Sequence, residues 1–365
     1  MSTAAYAFAH FDSAAFLREC WQRKPSIIRN PWAGWTNPLE PDELAGLACE
    51  SEVESRLIEQ VDGRFLLEHG PLAPARFAKL GGSPWTLLVQ AVDHHVPAVA
   101  ALREPFGFLP EWRIDDVMVS YASDRGGVGP HFDQYDVFLV QGLGRRKWRV
   151  GDRCDEASPL LPHDELRLLA GFTSTDEWLL EPGDILYIPP GFAHEGTAVG
   201  DDCMTYSVGF RAPSRGELIA GFSESILGNL AEDDRYRDPE PVPQESRGEI
   251  GPETLARLQA MVAEALFDPD AFARWFGQFT TQPKNMEIDW RPAKPVDPEA
   301  VGARLEAGGV LIRNPATRFA FIRRPGTAVN LFVDGECYAC EGELSAFAEL
   351  CCAQGRIVPD RAIAA

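Results

Sequence analysis

The sequence predicts a mainly β protein with α elements: a barrel or sandwich of short strands in the middle of the chain, helices after it, and a small α+β unit at the end. Three observations predict it. Residues 114–210 break into short apolar runs, at 117–119, 137–140, 185–188 and 205–210, separated by Gly, Pro and Asp, which is the texture of an all-β sandwich or barrel. After Pro213 the apolar spacing becomes helical. A proline-rich connector, Trp290 to Pro298, then marks a domain boundary, and 365 residues suit two or three domains.

The individual elements follow from local pattern. Residues 13–23 place Phe16, Leu17, Cys20 and Trp21 at helical spacing, Pro25 stops the helix, and 26–29 reads as a short strand. Residues 41–50 and 52–59 read as helices and 64–68 as a strand. Beyond the barrel, 217–230 and 252–266 are amphipathic helices separated by the loop 238–247 with its three prolines. A third helix, 268–279, carries Phe272, Trp275, Phe276 and Phe279 on one face, which packs either on its own chain or on a second subunit. The tail reads as a helix (299–306), three strands (310–313, 319–322, 331–333) and a helix (343–352), the order of a winged-helix-like unit. The implied division is 1–214, 215–290 and 291–365.

Composition narrows the function. With 45% apolar and 24% charged residues the chain has enough apolar material for a core, which excludes disorder as its main description. No run approaches the roughly 18 apolar residues of a membrane span. Residues 1–11 lack the basic start and apolar run of a secretory signal, and eight cysteines are too few for a disulfide scaffold. A reducing cytoplasm is therefore expected. The 34 Lys and Arg stand against 55 Asp and Glu, a net charge of −21 that repels nucleic acid and anionic membranes and attracts basic partners.

The chemistry concentrates in two segments. A glycine-rich run, Gly126 to Pro130, leads into His131-Phe-Asp133, and on a strand those two side chains point the same way. Pro182-Gly-Asp184 opens an apolar strand that ends in Pro189-Pro-Gly191, and His194 follows three residues later. Two histidines and one carboxylate are the facial triad of non-haem Fe(II) oxygenases, whose open positions accept a bidentate 2-oxo acid and O2. Glu195, beside His194, points to the opposite face and is not expected to be a ligand.

A co-substrate with a distal carboxylate needs a cation inside the barrel. Gly142-Leu-Gly144 reads as a turn, and the strand after it puts Arg146, Trp148 and Val150 on one face, with Arg145, Lys147 and Arg149 on the other. The apolar pair marks the inward face, so Arg146 is the inward cation, and a guanidinium binds a carboxylate bidentately. The 5-carboxylate of 2-oxoglutarate fits it. Thr205 and Ser207, on one face of the strand after His194, are candidates to hydrogen-bond the same ligand.

These residues carry a family resemblance. Gly129-Pro-His131-Phe-Asp133-Gln-Tyr-Asp-Val-Phe138, Gln141-Gly-Leu-Gly-Arg-Arg146-Lys-Trp-Arg-Val150, the run from Pro182 to Gly196, Tyr206 to Pro213, and Phe272-Ala-Arg-Trp-Phe-Gly-Gln-Phe279 resemble the bacterial JmjC-type ribosomal oxygenases. The resemblance implies a double-stranded β-helix (cupin or jelly-roll, JmjC) domain, then a helical dimerisation domain and a winged-helix-like domain. It implies a homodimeric Fe(II)- and 2-oxoglutarate-dependent hydroxylase with O2 as co-substrate. The bacterial branch hydroxylates Cβ of an arginine in large-subunit ribosomal protein 16, and relatives in higher organisms hydroxylate histidines of other ribosomal proteins. A basic ribosomal protein suits the acidic charge. The competing readings are a cupin metalloenzyme without a keto acid and a cupin that only docks on ribosomes.

Other features carry less. Cys337 and Cys340 with the vicinal pair Cys351 and Cys352 are read as buried thiols, because neighbouring residues are poorly placed to share one zinc ion. Asp93-His94-His95 has no evident partner in the sequence. The tail lacks a dense basic stripe, so protein docking rather than nucleic-acid binding is expected of it.

Overall fold

The structure is a computed structural model, and it describes residues 6–238, 243 and 245–357. Part of the proline-bearing loop at 238–247, the first five residues and the end of the tail lie outside the described residues. The chain divides into two compact units, one of 1–212 with 287–290 and 314–316, the other made of the remaining residues.

The first unit is built on nine strands: β1 (Ser26–Ile28), β2 (Ser55–Val61), β3 (Arg64–His69), β4 (Trp85–Val89), β5 (Ile114–Ala122), β6 (Asp136–Arg153), β7 (Ser174–Leu180), β8 (Ile185–Ile188) and β9 (Phe192–Phe210). Their order is β1-β8-β6-β9-β5-β4-β2-β3, with β7 also on β6. The two long strands run antiparallel along their whole length. β6 changes its other partner on the way: Val137 to Val140 pair with β8, and Arg146 to Gly151 pair with β7. Two long strands that pass from one sheet to the other wind a double-stranded β-helix. The register shifts between Gln141 and Arg145 mark the passage.

One sheet face is covered by the N-terminal segment. Phe16, on the helix Ser13–Glu19, meets Tyr187 and Phe138 edge-on or tilted, and Trp21 stacks on Tyr187. The other face holds Val137, Leu139, Trp148, Val150, Leu180, Leu186 and Ile188 in one apolar cluster. Asp184 caps the turn before β8: its carboxylate accepts from Arg29, from the backbone N–H of Asn30 and from that of Glu181.

Two readings of local sequence are corrected. Residues 52–59, read as a helix, contribute to β2, an interior strand between β3 and β4 with Leu57 and Ile58 buried. Residues 56–59 are paired on both sides, by β3 and β4, and that pairing overrides the modest helical pattern. Gly142-Leu-Gly144, read as a turn, lies inside the continuous β6 as the irregular stretch of the ladder.

The second unit has the helices Arg215–Leu227, Pro252–Leu266 and Pro269–Thr281, then Pro298–Glu306. Ser214 and Glu217 form a capping box at the first of them, and Asp268 caps the third. Phe222 packs on Phe272 and Trp275 at ring separations of 5.1 and 5.4 Å. The strands are β10 (Leu311–Ile312), β11 (Phe319–Arg323), β12 (Val329–Val333), β13 (Glu336–Cys340) and β14 (Arg356–Ile357), with the helix Glu343–Ala353 before the last. β11-β12-β13 form an antiparallel sheet and β10 pairs with β14, the winged-helix arrangement. The sequence reading overlooked β13, which carries Cys337 and Cys340.

Candidate metal and 2-oxo-acid site

His131, Asp133 and His194 come together. Their ligand atoms all lie within 4.8 Å of one another, and they are the one such group of three or more His, Cys, Asp and Glu among the described residues. The route differs in one respect from the sequence reading. His131 and Asp133 stand in the loop before β6 rather than on a regular strand. A two-way backbone pairing replaces the strand: His131 N–H donates to the His194 carbonyl at 3.0 Å, and His194 N–H to the His131 carbonyl at 2.8 Å. The Asp133 carbonyl accepts from Gly191 N–H at 2.7 Å, which ties the loop to the turn before β9.

Both imidazoles are oriented by backbone carbonyls. His131 Nδ1 lies 2.9 Å from the Gly129 carbonyl and His194 Nδ1 lies 2.9 Å from that of Phe192. A carbonyl only accepts, so each Nδ1 carries the proton and each Nε2 offers its lone pair. Those Nε2 atoms stand 3.8 and 3.6 Å from Asp133 Oδ2, a span that a divalent ion with bonds of about 2.1 Å bridges. Burial, with the neighbouring His131 adding to it, pushes His194 down to about 4, so its ring is neutral as a ligand requires.

The strands β6 and β9 present the rest of the interior. Arg146, Trp148 and Val150 are all buried, and their cross-strand partners on β9 are Ala198, Gly196 and His194. The two largest, Arg146 and Trp148, thus face small residues. A Cβ on Gly196 would stand 2.7–2.9 Å from three carbons of the Trp148 ring, so glycine makes the room the indole occupies. The Arg146 guanidinium sits 5.8 Å from the centre of the Trp148 ring. Nε and Nη2 of Arg146 are buried without a hydrogen-bond partner among the described residues, where a structural arginine is paired. A fork of donors without acceptors fits a carboxylate ligand, so the residues present fit both an Fe(II) ion and a 2-oxo diacid.

Thr205 and Ser207 are buried on β9, opposite Gln141 and Leu139 of β6. The Thr205 hydroxyl donates to Gln141 Oε1 at 3.2 Å, so its proton is already engaged. Glu195 turns to the other face and pairs with Arg149. Tyr135, which the sequence reading did not single out, has an exposed ring, but partial burial of its hydroxyl, with the carboxylates of Asp133, Asp116 and Asp115 adding to it, pushes its pKa up. Its place two residues beyond Asp133 was the available signal. Elsewhere, Asp93 accepts from the backbone of Val117 and pairs with Arg103, and the rings of His94 and His95 lie edge-on to Trp290.

Comparison with known proteins agrees with this geometry. Residues 101–218 match the JmjC domain family, and 264–356 match the ROXA-like winged helix. The chain is 44% identical over 299 residues to the ribosomal protein uL16 3-hydroxylase of Escherichia coli, covering 82% of this chain and 79% of that protein. It is 37% identical over 280 residues to a probable ribosomal oxygenase of Haemophilus influenzae, covering 74% and 68%. The solved structure of YcfD, a ribosomal oxygenase from Escherichia coli in complex with cobalt and 2-oxoglutarate, superposes with a TM-score of 0.84 at 38% identity, over 97% of this chain and 91% of that one. Identity of this order over most of both chains, on a shared fold, places this chain in the family of JmjC-domain ribosomal oxygenases.

Proposed function

We propose that this protein is an Fe(II)- and 2-oxoglutarate-dependent oxygenase that hydroxylates a ribosomal protein, with Cβ of an arginine in uL16 as the position modified. The observation that carries the reading is Arg146, a buried guanidinium with two donors that have no partner among the described residues, in the same barrel as the His131, Asp133 and His194 cluster. A cupin that does not bind a keto acid has no use for that cation. Bound Fe(II), with 2-oxoglutarate and O2, supplies the oxidising power to hydroxylate an unactivated carbon. The chain's own part is position. The Gly129 and Phe192 carbonyls aim the two imidazoles, Asp133 completes the donor set, and Arg146 fixes the far carboxylate of the co-substrate. Ser207 and Thr205 line the same interior, with Thr205 acting through Gln141.

The substrate side of the reading rests on charge and kinship: a net charge of −21 draws in basic ribosomal proteins. Histidine hydroxylation of another ribosomal protein is the second reading, and product analysis separates the two. We assign the three-part division 1–214, 215–290 and 291–365, a cytoplasmic location and no direct nucleic-acid binding. No helix among the described residues is long and apolar enough to cross a membrane.

We also assign a homodimer. Ile219 and Leu227 on one helix and Leu255, Val262 and Phe267 on or beside the next are exposed, and Phe272 is only partly covered by its own chain. That much apolar surface on neighbouring helices suits a C2 contact. The deciding experiment is mass spectrometry of ribosomal proteins from a strain lacking this protein, with turnover of Fe(II), 2-oxoglutarate and purified uL16 in parallel. Loss of a 16 Da mass increment (roughly one oxygen atom) from uL16 supports the reading. An unchanged uL16, with no turnover in vitro, overturns it.

A further inference from the structure

Trp148 is only 5% exposed, and its indole N–H has no hydrogen-bond partner among the described residues. Buried indole N–H groups normally find an acceptor. A ring needed only to fill space is met by Phe or Leu, which bury no polar atom. The same strand face holds Nε and Nη2 of Arg146, two residues away, in the same condition. All three groups are donors and none can accept, so whatever satisfies them is acceptor-rich: an anion with several oxygens.

The indole is fixed between the two parts of the site. Its centre lies 6.0 Å from that of the His194 ring and 5.8 Å from the Arg146 guanidinium. Gly196 admits its outer ring against β9, and any Cβ there would collide with it. The donor is therefore positioned before a ligand arrives.

We propose that Trp148 is a binding residue for the co-substrate: its N–H donates to the same far carboxylate that Arg146 grips, so three donors from one strand face select a 2-oxo diacid over a 2-oxo monoacid. This deepens the reading of the site given above and rests on it.

The test is calorimetric titration of the full-length Mn(II)-loaded protein, in which binding is read without turnover. Trp148→Phe keeps an aromatic ring beside Gly196 and His194 and removes the N–H. The 2-oxoglutarate dissociation constant should rise roughly 10- to 100-fold, the loss expected for a hydrogen bond to a charged group. Mn(II) affinity and the melting temperature should hold. 2-Oxobutyrate, which lacks the far carboxylate, should bind wild type and variant alike. Unchanged 2-oxoglutarate affinity in Trp148→Phe overturns the inference alone, provided that Arg146→Met loses binding. An equal loss for both acids overturns the assignment to the far carboxylate. A wild type that binds no 2-oxoglutarate overturns the underlying reading and this inference with it. Should Trp148→Phe not fold, the wild type itself gives the answer. Of its nine indole N–H resonances, one should move downfield when 2-oxoglutarate is added to the Zn(II)-loaded, 15N-labelled protein, and none moving overturns the proposal.

Discussion

Replacing Arg146 with Met should make the protein more stable and a much weaker binder of its co-substrate. Two of the arginine's donors, Nε and Nη2, are buried without partners among the described residues. Each such group costs the folded state about 1–3 kcal/mol, so the pair costs roughly 2–6 kcal/mol. The indole of Trp148, 5.8 Å from the guanidinium, returns about 1–2 kcal/mol as a cation–π contact. The balance, ~0–5 kcal/mol, brackets what is gained when buried ionic groups are replaced by apolar ones of similar volume. Met is unbranched and follows the path of the arginine stem between Ala198 and Leu180. Without co-substrate, Arg146→Met should melt several degrees higher than wild type. Relative to the Mn(II)-loaded protein, 2-oxoglutarate at about 100 times its wild-type dissociation constant stabilises wild type by ~2.7 kcal/mol and the variant, left with the keto-acid contacts alone, by much less. Thermal unfolding of both proteins, with and without the co-substrate, reads all four states. A variant that melts lower on its own and shifts as far as wild type with 2-oxoglutarate would refute the reasoning, because Arg146 would then be a paired structural residue.

Asp133→Ala should abolish Fe(II)-dependent turnover and weaken Mn(II) binding by at least tenfold while the melting temperature of the metal-free protein is kept; normal metal affinity and activity would remove Asp133 from the site. His194 is held near 4, below its ordinary value of 6.5, so its contribution is present above pH 6.5 and is lost as pH falls through the window from 6.5 to about 4. The loss, on the order of 3 kcal/mol, should appear in denaturant titrations of metal-free protein and be absent from His194→Gln; parallel pH curves for the two would contradict it. Leu255→Asp with Val262→Asp should convert a dimer to monomer in light scattering at micromolar concentration with little change in melting temperature, since both side chains are exposed in the single chain. A wild type that is already monomeric would set the dimer aside.

The site was more legible in the sequence than the sheet around it. Arg146 could be read from alternation because Trp148 and Val150 flank the same face and leave one inward cation. His131, Asp133 and His194 were legible as residue types next to rigid Gly and Pro turns, although the pairing that unites the histidines is a single isolated bridge that no periodicity announces. Two of the missed strands, β2 and β13, share one overlooked signal. Asp62-Gly63 joins β2 to β3 and Asp334-Gly335 joins β12 to β13, each with both residues at positive φ, the two-residue turn that Asp-Gly favours. Reading the first would have turned 52–59 from helix into strand, and reading the second would have supplied β13. The donor role argued for Trp148 was hidden because alternation reports only which way a side chain points and not whether its polar atom is satisfied.

The Gly129 and Phe192 carbonyls fix the two imidazoles before any ion arrives, and this bears on which metal the protein acquires. A preformed pair of nitrogens and one carboxylate accepts any first-row divalent ion. Intrinsic affinity rises from manganese through iron and cobalt to copper. Rigid backbone aiming speeds loading but gives iron no advantage over its heavier neighbours. Selection therefore falls to supply: the free concentrations kept by the cell decide occupancy. A preparation made in rich medium will carry a record of that medium's nickel, zinc and cobalt, and its specific activity will report metal history as much as protein quality.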